Sequence, residues 1–205
     1  LMVAPTTSNL QVILKTGKYW MKPLLLDLDI IAYRCAASCE PTSIKPDLEP
    51  LNRAIERLDE LMWRILYTCD SEAYRGFISG GDNFRKIIYP DYKANRKDLR
   101  VPTYLGDCQK YLLDNWKAEM VVGMEADDAI GIAHTPESII VSIDKDFLQI
   151  PGTHYNFVKD LFIEVTEEEA KFNFWKQVLM GDRSDNVPGV AGIGEAKATK
   201  LLNSL

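Results

Sequence analysis

Short hydrophobic runs recur along the chain and alternate with segments of helical periodicity. The first run, residues 24–26, is purely apolar and is followed by Asp27 and Asp29, which predicts a buried strand ending in carboxylates. Further short strands are predicted at residues 76–79, 120–122 and 138–143, with two more between residues 155 and 165. Continuous apolar runs of this length are typical of parallel strands covered on both faces.

Apolar residues at helical spacing predict helices between these strands. The predicted helices are residues 48–67, 105–118, 125–133 and 167–180, with a further one at the end of the chain. Asp47 is expected to cap the first, and Thr166 with Glu169 forms a capping box for the fourth. Residues 85–104 are read as a polar connection. Strands that alternate with helices predict an α/β fold with a mostly parallel central sheet flanked by helices.

Acidic residues follow the predicted strands or begin the predicted helices at five places. They are Asp27 with Asp29, Asp82, Glu125 with Asp127 and Asp128, Asp144 with Asp146, and Asp182 with Asp185. Any one of these groups is better explained as a helix cap or a turn residue. Ligands of parallel sheets bind beyond the carboxyl ends of the strands, so we expect all five groups to converge there.

So many carboxylates in one place repel each other unless cations lie among them. Oxygen ligands without histidine suit Mg²⁺ or Mn²⁺ better than zinc. Two such ions, about 3.5–4 Å apart, clamp the attacking and leaving oxygens of a phosphodiester. The acidic residues therefore predict a two-metal site for phosphodiester chemistry.

Residues 85–100 form a basic stretch, with six basic residues against two acidic ones and with Tyr89 and Tyr92 between them. Basic residues interleaved with aromatic rings suit a nucleic-acid strand, because phosphates bind to the cations and bases stack on the rings. Taken alone, the stretch is better explained as a solvated loop. It gains meaning only beside the predicted metal site.

A glycine turn precedes the last predicted helix. It contains Gly189, Gly192, Ile193 and Gly194, and the helix that follows carries Lys197. Free backbone N–H groups and the positive end of a helix can hold a phosphate without reading base sequence. The turn therefore predicts a contact with a nucleic-acid backbone.

Charge and composition first oppose this interpretation and then support it. The chain has 205 residues and a formal net charge of −6, from 24 Lys and Arg against 30 Asp and Glu. Its length suits one domain, with or without a small appendage. Acidity by itself argues against a protein that coats nucleic acid. Setting aside nine of the ten acidic residues in the five groups, all except Asp29, changes the formal charge from −6 to +3, so much of the acidity lies in the predicted site.

Cysteine usage and hydropathy exclude other classes. The four cysteines form no CxxC pair and only two histidines accompany them, so we expect buried free thiols rather than a zinc site. No apolar run approaches the roughly 18 residues of a membrane span, and the N-terminus lacks the pattern of a secretory signal. The sequence therefore predicts a cytoplasmic protein.

The motifs occur in a fixed order along the chain. They are Asp27 with Arg34 seven residues later, Asp82 followed by Tyr92, Lys93 and Arg96, Glu125-Ala-Asp127-Asp128, Asp144-Lys-Asp146, Asp182-Arg-Ser-Asp185, and the glycine turn. In this order they resemble the 5′ nucleases, a family of bacteriophage 5′→3′ exonucleases, flap endonucleases and the 5′-nuclease domain of bacterial DNA polymerase I. The resemblance extends over residues 24–202 and is strongest to the bacteriophage enzymes.

The resemblance implies a domain organisation. Residues 1–180 would form a PIN-like nuclease domain, in which residues 85–121 supply a basic loop and the helical arch that receives a 5′ strand. Residues 181–205 would form a helix–three-turn–helix that grips duplex DNA. Family members usually continue with more helices, so we expect this element to be truncated. The first 20 residues match nothing in the family.

The resemblance also implies roles for individual residues. A first metal site would be lined by Asp27, Asp82, Glu125, Asp127, Asp128 and Asp144, and a second by Asp146, Asp182 and Asp185. Lys93 and Arg34 match the basic pair that contacts the scissile phosphate. The DNA contacts would be Tyr92, Arg96, Lys97, Gly189, Gly192, Ile193, Gly194 and Lys197. A potassium ion belongs at the glycine turn. Asp29 is left out, because the family usually has glycine there.

The expected activity is hydrolysis of phosphodiester bonds in DNA with a 5′ end or flap, and of RNA in RNA–DNA hybrids. A monomer would act with Mg²⁺ or Mn²⁺ in replication, primer removal or repair. One alternative is a phosphatase of the haloacid-dehalogenase type, with Asp27 as nucleophile and Asp29 as general acid; it leaves the glycine turn unexplained. Another is a catalytically silent nucleic-acid-binding module that uses the metals structurally.

Overall fold

The computed structural model describes residues 22–81, 83–97 and 99–204. A central sheet contains six strands: β1 (Leu24–Asp27), β2 (Tyr74–Ser79), β3 (Glu119–Val121), β4 (Ile139–Val141), β5 (Gly152–Asn156) and β6 (Leu161–Val165). Their order is β3-β2-β1-β4-β5-β6. Strands β1 to β5 pair in parallel and β6 is antiparallel to β5. The predicted mostly parallel α/β fold is confirmed.

Helices cover the sheet and form the C-terminal part of the described chain. They are α1 (Leu28–Ala37), α2 (Leu51–Cys69), α3 (Phe84–Ile88), α4 (Leu105–Asn115), α5 (Ala126–Ala133), α6 (Glu167–Met180) and α7 (Glu195–Leu202). Two 3₁₀ helices span Ala94–Arg96 and Lys145–Gln149. A small hairpin, β7 (Gly181–Asp182) with β8 (Val187–Pro188), lies between α6 and α7.

The side chains of β1 divide between two cores, as the alternation of a strand requires. Leu24 and Leu26 belong to the larger core, which α1, α2 and α4 cover. Leu25 belongs to a smaller core on the other side, where Ile130 of α5 is fully buried. A strand buried on both faces explains why the run is apolar without interruption.

Helix α2 packs its apolar face, including Leu58, Met62 and Ile65, into the larger core as predicted. Its predicted start was wrong. The helix begins at Leu51 after Pro50, and Asp47 is not its cap. The residue before a proline avoids helical conformation, so the chain becomes helical only beyond Pro50.

Strand β1 is shorter than predicted and stops at Asp27. Asp27 is the N-cap of α1 and accepts a hydrogen bond from the N–H of Ile30 at 3.3 Å. Asp29 therefore lies in the first turn of a helix and not at the end of the strand. The chain changes from strand to helix without a loop, which carries Asp27 directly to the carboxyl edge of the sheet.

The region predicted as a basic loop and arch divides into two parts. Residues 84–96 contain α3 and a 3₁₀ turn rather than only a connection. Helix α4 packs into the larger core, with Cys108 and Leu112 fully buried, so residues 105–115 do not form a free-standing arch. This helix ends two residues before Lys117, which has a left-handed φ of 52°, and not at Ala118 as predicted.

Other local predictions are confirmed. Thr166 and Glu169 form the capping box of α6, which runs to Met180. All four cysteines are free and buried. Across the described residues, no helix combines the length and apolar character that a membrane span requires.

Candidate functional site

The strand order reverses at β1, whose neighbours are β2 and β4, and ligands of parallel sheets bind at such a switch point. Asp27 ends β1 at this point and is 8% exposed. Its Oδ2 accepts a hydrogen bond of 2.8 Å from the hydroxyl of Ser142, which follows β4. Burial, with smaller contributions from the charges of Asp29 and Asp144, raises the pKa of Asp27 to about 7. The two hydrogen bonds act in the opposite direction but are weaker.

Three further carboxylates continue from Asp27 towards helix α6. Asp144 caps the 3₁₀ helix and accepts the N–H of Asp146 at 2.9 Å. The amide of Gln177 donates to Asp146 Oδ1 at 3.1 Å and to Asp182 Oδ2 at 2.7 Å. Burial, followed by the charges of Asp144 and Asp182, raises the pKa of Asp146 to about 6. These groups therefore interact electrostatically in their ionised forms.

A second set of carboxylates lies at the start of α5. Glu125 and Asp128 form a reciprocal capping box with the backbone, as the acidic start of the helix predicts. Burial, followed by the charges of Glu125 and Asp128, raises the pKa of Asp127 to about 6. Both sets therefore contain a carboxylate whose charge is opposed by burial and by its neighbours.

Residues 85–96 contact the second set and Asp185, and three of these ion pairs are close. The pairs are Arg85 with Asp128, Lys93 with Glu125, and Arg96 with Asp185. Two of them have nitrogen–oxygen distances of 2.6 Å, and the Arg85 pair is bidentate. The basic stretch is therefore more than a solvated loop, because three of its six cations, Arg85, Lys93 and Arg96, lie against the acidic residues.

Tyr92 joins two of these acidic residues and does not present its ring for base stacking. The ring is 7% exposed, and the hydroxyl oxygen lies 2.7 Å from Glu125 Oε2 and 2.7 Å from Asp185 Oδ2. Burial and these two carboxylates raise the pKa of Tyr92. The hydroxyl has one proton, so it can donate to only one carboxylate at a time. The predicted role of Tyr92 in stacking on DNA is replaced by one in positioning carboxylates.

The two sets meet in the turn that follows β7, where the backbone N–H of Asp185 donates to Asp182 Oδ1 at 3.2 Å. We call the whole assembly the carboxylate network. It contains Asp27, Glu125, Asp127, Asp128, Asp144, Asp146, Asp182 and Asp185. These are eight of the nine predicted ligands. The ninth, Asp82, lies outside the described residues.

The network fits divalent cations by its chemistry. All its donors are hard carboxylate oxygens, the preferred ligands of Mg²⁺ and Mn²⁺. Its members also raise one another's pKa values, and a bound cation would relieve this repulsion. Among the described residues, no three His, Cys, Asp or Glu side chains are arranged to hold one ion. Here the charge of Glu125, Asp128 and Asp185 is offset by protein cations instead.

Arg34 is not brought to the network. It lies seven residues after Asp27 on α1, roughly 10 Å along the helix axis. It lines a different cavity, together with Arg57 and Arg64 of α2. In the part of the chain that the structure describes, the Arg34 guanidinium forms no hydrogen bond or ion pair with the acidic residues, and a joint contact of Arg34 and Lys93 with the scissile phosphate stays a prediction.

Asp29 has a structural explanation that the sequence did not provide. Its carboxylate accepts the backbone N–H of Ser79 at 3.0 Å and the amide of Gln109 at 3.2 Å. It thereby joins α1 to the end of β2 and to α4. A carboxylate held by two donors in this way is poorly suited to the general acid that the phosphatase alternative requires.

The glycine turn lies before α7 at the protein surface. Gly192 has a φ of 76°, and a Cβ added at Gly192 or at Gly194 would have no neighbouring atom within 4 Å. Ile193 is half-buried, and its N–H donates to Val190 at 3.0 Å. The ammonium of Lys197 donates to the Gly192 carbonyl at 2.9 Å. The turn is thus accessible to a large ligand.

Gly189 differs from the other two glycines. A Cβ there would lie 2.2 Å from the backbone of Met180. Glycine is therefore needed at this position for close packing between the hairpin and the end of α6. Lys97, also predicted to contact DNA, is exposed and directly follows Arg96, the last residue of the first 3₁₀ helix.

Comparison with known proteins identifies the family of this chain. The family described as 5'-3' exonuclease, N-terminal resolvase-like domain, matches residues 22–177. The chain belongs to this family. Flap endonuclease Xni of Shewanella piezotolerans is 34% identical over 137 residues, covering 58% of this chain and 54% of that relative. A 5'-3' exonuclease of Bacillus subtilis is 33% identical over 147 residues, covering 60% and 49% respectively. This family member thus spans about half the length of the curated relatives it matches.

Solved structures of the same fold support the description of the sheet and helices. The flap endonuclease of bacteriophage T5, crystallised as a pseudo-enzyme–product complex with DNA and metal ions, matches with a TM-score of 0.71 at 17% identity. The match covers 89% of this chain and 74% of that one. Flap endonuclease-1 of Methanococcus jannaschii matches with a TM-score of 0.56 at 16% identity, covering 91% and 72%.

Three residues of the site were not identified from the sequence. Ser142 holds Asp27, which lies 115 positions away in the sequence. Gln177 holds Asp146, 31 positions away, and Asp182, 5 positions away. Arg85 was counted in the basic stretch, but its bond to Asp128 spans 43 positions. Only the polar character of Ser142 directly after an apolar strand was a usable signal.

Proposed function

We propose that this chain carries the catalytic centre of a metal-dependent nuclease that hydrolyses phosphodiester bonds in DNA with a 5′ end or flap. The observation that carries the proposal is the carboxylate network at the switch point of a parallel sheet, in a member of the 5′-3′ exonuclease family. The T5 relative was crystallised with DNA and metal ions, which supports the same substrate and cofactor class here.

The carboxylate network would hold two Mg²⁺ or Mn²⁺ ions. Asp27, Asp144 and the residues around Glu125 would line one site, and Asp146 with Asp182 and Asp185 would extend to the other. When bound, these ions supply the positive charge that lowers the pKa of the attacking water and stabilises the departing 3′ oxygen. The carboxylates of Asp27 and Asp144 are held in fixed orientations, because Asp27 accepts a hydrogen bond from the Ser142 hydroxyl and Asp144 accepts one from the Asp146 N–H. Asp82, between β2 and α3, belongs to the same proposal.

Lys93 would act on the substrate. Its ammonium now lies 2.6 Å from Glu125 Oε1, and its backbone is held at a left-handed φ of 55° by a bond from its N–H to the Asp185 carbonyl. A cation held by Glu125 would offset its charge, and the Lys93 ammonium would then be available to donate to a phosphoryl oxygen. Charge developing on that oxygen during hydrolysis is then stabilised by a fixed donor.

The duplex would lie across the C-terminal helices. We propose that N–H groups of the glycine turn contact the DNA backbone, with Lys97, Arg96 and Lys197 nearby. We also propose a potassium ion there, since a protein cation already lies 2.9 Å from the Gly192 carbonyl oxygen. The protein would act as a monomer in the cytoplasm, in replication, primer removal or repair, and RNA–DNA hybrids are further candidate substrates.

The decisive experiment is Mg²⁺-dependent cleavage of a 5′-labelled duplex with a flap. The protein should release short products only with the metal, and Asp144→Asn should lower the rate by about three orders of magnitude, as when a group that stabilises transition-state charge is removed. Asp47→Asn, at an exposed position that lies outside the network, is the matched control and should cleave normally.

Two results would contradict the proposal. Full activity of Asp144→Asn would remove the network from the mechanism. Metal-dependent binding of the duplex without any cleavage would favour the silent binding module. Release of phosphate from a small phosphomonoester, lost in Asp29→Asn, would instead support the phosphatase alternative.

A further inference from the structure

A cavity of about 440 Å³ lies between α1, α2 and the turn that follows β5. Its polar lining comes mainly from arginines: Arg34 of α1 and Arg57 and Arg64 of α2. The two α2 residues are seven positions apart and so lie on one face of the helix. The cavity shares no lining residue with the carboxylate network.

The fold uses only part of the hydrogen-bonding capacity of these arginines. Nη1 of Arg57 donates to the Ser38 carbonyl at 3.2 Å and pairs with Glu49. Nη2 of Arg64 donates to the Phe157 carbonyl at 3.1 Å. A guanidinium group has five N–H donors, so both residues have further donors for a ligand.

Arg34 is not accounted for by packing. Its side chain is exposed and makes no hydrogen bond or ion pair with any residue that the structure describes. Glu60 is the one acidic residue among those lining the cavity. The charge of Arg57 is offset by Glu49 at 2.5 Å, so the remaining positive charge belongs to Arg34 and Arg64. Like charges gathered in one cavity repel, and an anion bound between them removes that repulsion.

The dimensions and the chemistry of the cavity point to a phosphate with an attached nucleoside. Planar guanidinium groups bind phosphate through paired hydrogen bonds. Leu61 and Val158 provide an apolar wall beside the arginines. A cavity of this volume lies within the usual range for small-ligand sites, which is roughly 300–1,000 Å³.

We propose that this arginine cavity binds a phosphate-bearing nucleotide of the DNA strand that the nuclease acts on, one or a few nucleotides away from the bond that is cleaved. The geometry fits this position, because α1 begins at the carboxylate network and carries Arg34 roughly 10 Å further along its axis. The inference rests on the proposed nuclease function for its substrate, but it concerns binding and not cleavage.

The test measures binding of a fluorescent single-stranded oligothymidylate with EDTA present, so that no cleavage occurs. The double variant Arg34→Gln with Arg64→Gln removes two charges, and its glutamine at position 64 keeps a donor for the Phe157 carbonyl. We expect affinity to fall roughly tenfold, and the slope of log affinity against log salt to decrease by about 1.4 for two lost phosphate contacts. Arg53→Gln is the matched control, since Arg53 lies on α2 and pairs with Glu56 outside the cavity. It should bind within twofold of the unchanged protein.

A variant that removes negative charge from the cavity keeps the inference testable if the double variant folds poorly. Glu60→Gln removes the only acid of the lining at an exposed position, and it should tighten binding about threefold by removing a repulsion of the phosphate. If neither variant differs from Arg53→Gln in affinity or salt slope, the proposal is refuted.

Further measurements distinguish a terminal phosphate from an internal phosphodiester, and they distinguish failure of this inference from failure of the proposed nuclease function. A preference for a 5′-phosphorylated over a 5′-hydroxyl oligonucleotide, lost in the double variant, would assign the cavity to a terminal phosphate. Equal binding of both, again weakened in the double variant, would assign it to an internal diester. Asp144→Asn should fail to cleave, and in that background the double variant should still weaken binding in EDTA, so a failure of the nuclease proposal leaves this binding result intact.

Discussion

Asp27→Asn is expected to stabilise the metal-free protein while abolishing cleavage. The carboxylate is buried, and its pKa is raised from 3.8 to about 7. Each tenfold change in proton affinity is worth about 1.4 kcal/mol, so the ionised group weakens folding by up to roughly 4 kcal/mol at a pH above both values. Asparagine keeps the same shape, still accepts the Ile30 N–H as an N-cap, and can donate to the Ser142 hydroxyl.

The pH dependence of this effect has a definite sign. The folded state holds its proton up to about pH 7, whereas the unfolded chain releases it near 3.8. Unfolding therefore releases a proton between these values, and the Asp27 contribution to stability falls as pH rises through that window and stays constant above it. Urea unfolding in EDTA should show no advantage of Asp27→Asn below the window and the full advantage above it.

Controls and metal ions make the test sharper. The exposed Asp47→Asn should match the unchanged protein at every pH. Adding Mg²⁺ above the window should raise the free energy of unfolding of the unchanged protein more than that of Asp27→Asn, because a cation relieves the repulsion around the carboxylate. An advantage of Asp27→Asn that is the same at both ends of the pH window would refute the electrostatic reasoning.

Two further substitutions test the packing of the site by urea unfolding. Tyr92→Phe removes a hydroxyl that lies 2.7 Å from two carboxylates, and it should lower the free energy of unfolding by about 1.5 kcal/mol. Tyr89→Phe loses a longer bond of 3.2 Å to a neutral carbonyl and should lower it by about 0.5 kcal/mol. Equal losses would show that the carboxylates contribute nothing. Gly181→Ala should cost about 3 kcal/mol, because its φ is 70° and a Cβ would lie 2.2 Å from the Gly189 nitrogen. Gly194→Ala, with open space around it, should cost less than about 1 kcal/mol, and a similar cost for both would contradict the close packing of the hairpin.

Local patterns predicted the elements whose stabilising contacts are close in sequence. The capping box of Thr166 and Glu169 needs only three residues of spacing, and it begins α6 where predicted. The apolar run at residues 24–26 predicted a strand buried on both faces, and its neighbours Leu24 and Leu25 do enter different cores. The start of α2 differs from the prediction because Pro50 keeps the preceding residue out of helical conformation, and this effect outweighs the capping tendency of Asp47.

The acidic residues show how far such patterns extend to the site. Their positions after strands and at helix starts predicted convergence, since parallel strands end at one edge of a sheet. Eight of the nine predicted ligands do form one network. Their residue types favour hard cations, because oxygen donors without histidine suit Mg²⁺ or Mn²⁺, and the identity of the metal stays a prediction.

What the sequence by itself determined is the order of the elements, the apolar faces and the gathering of acids at one edge of the sheet, because these follow from short-range periodicity and from strand direction. Only the tertiary structure decided which partner each polar group has. Tyr92 could be a stacking ring or a carboxylate clamp until the chain brought Glu125 and Asp185 to its hydroxyl. Arg34 could belong to the acids or to a cavity of its own until α2 placed Arg57 and Arg64 beside it. These choices rest on contacts between residues far apart in sequence, which no local spacing encodes.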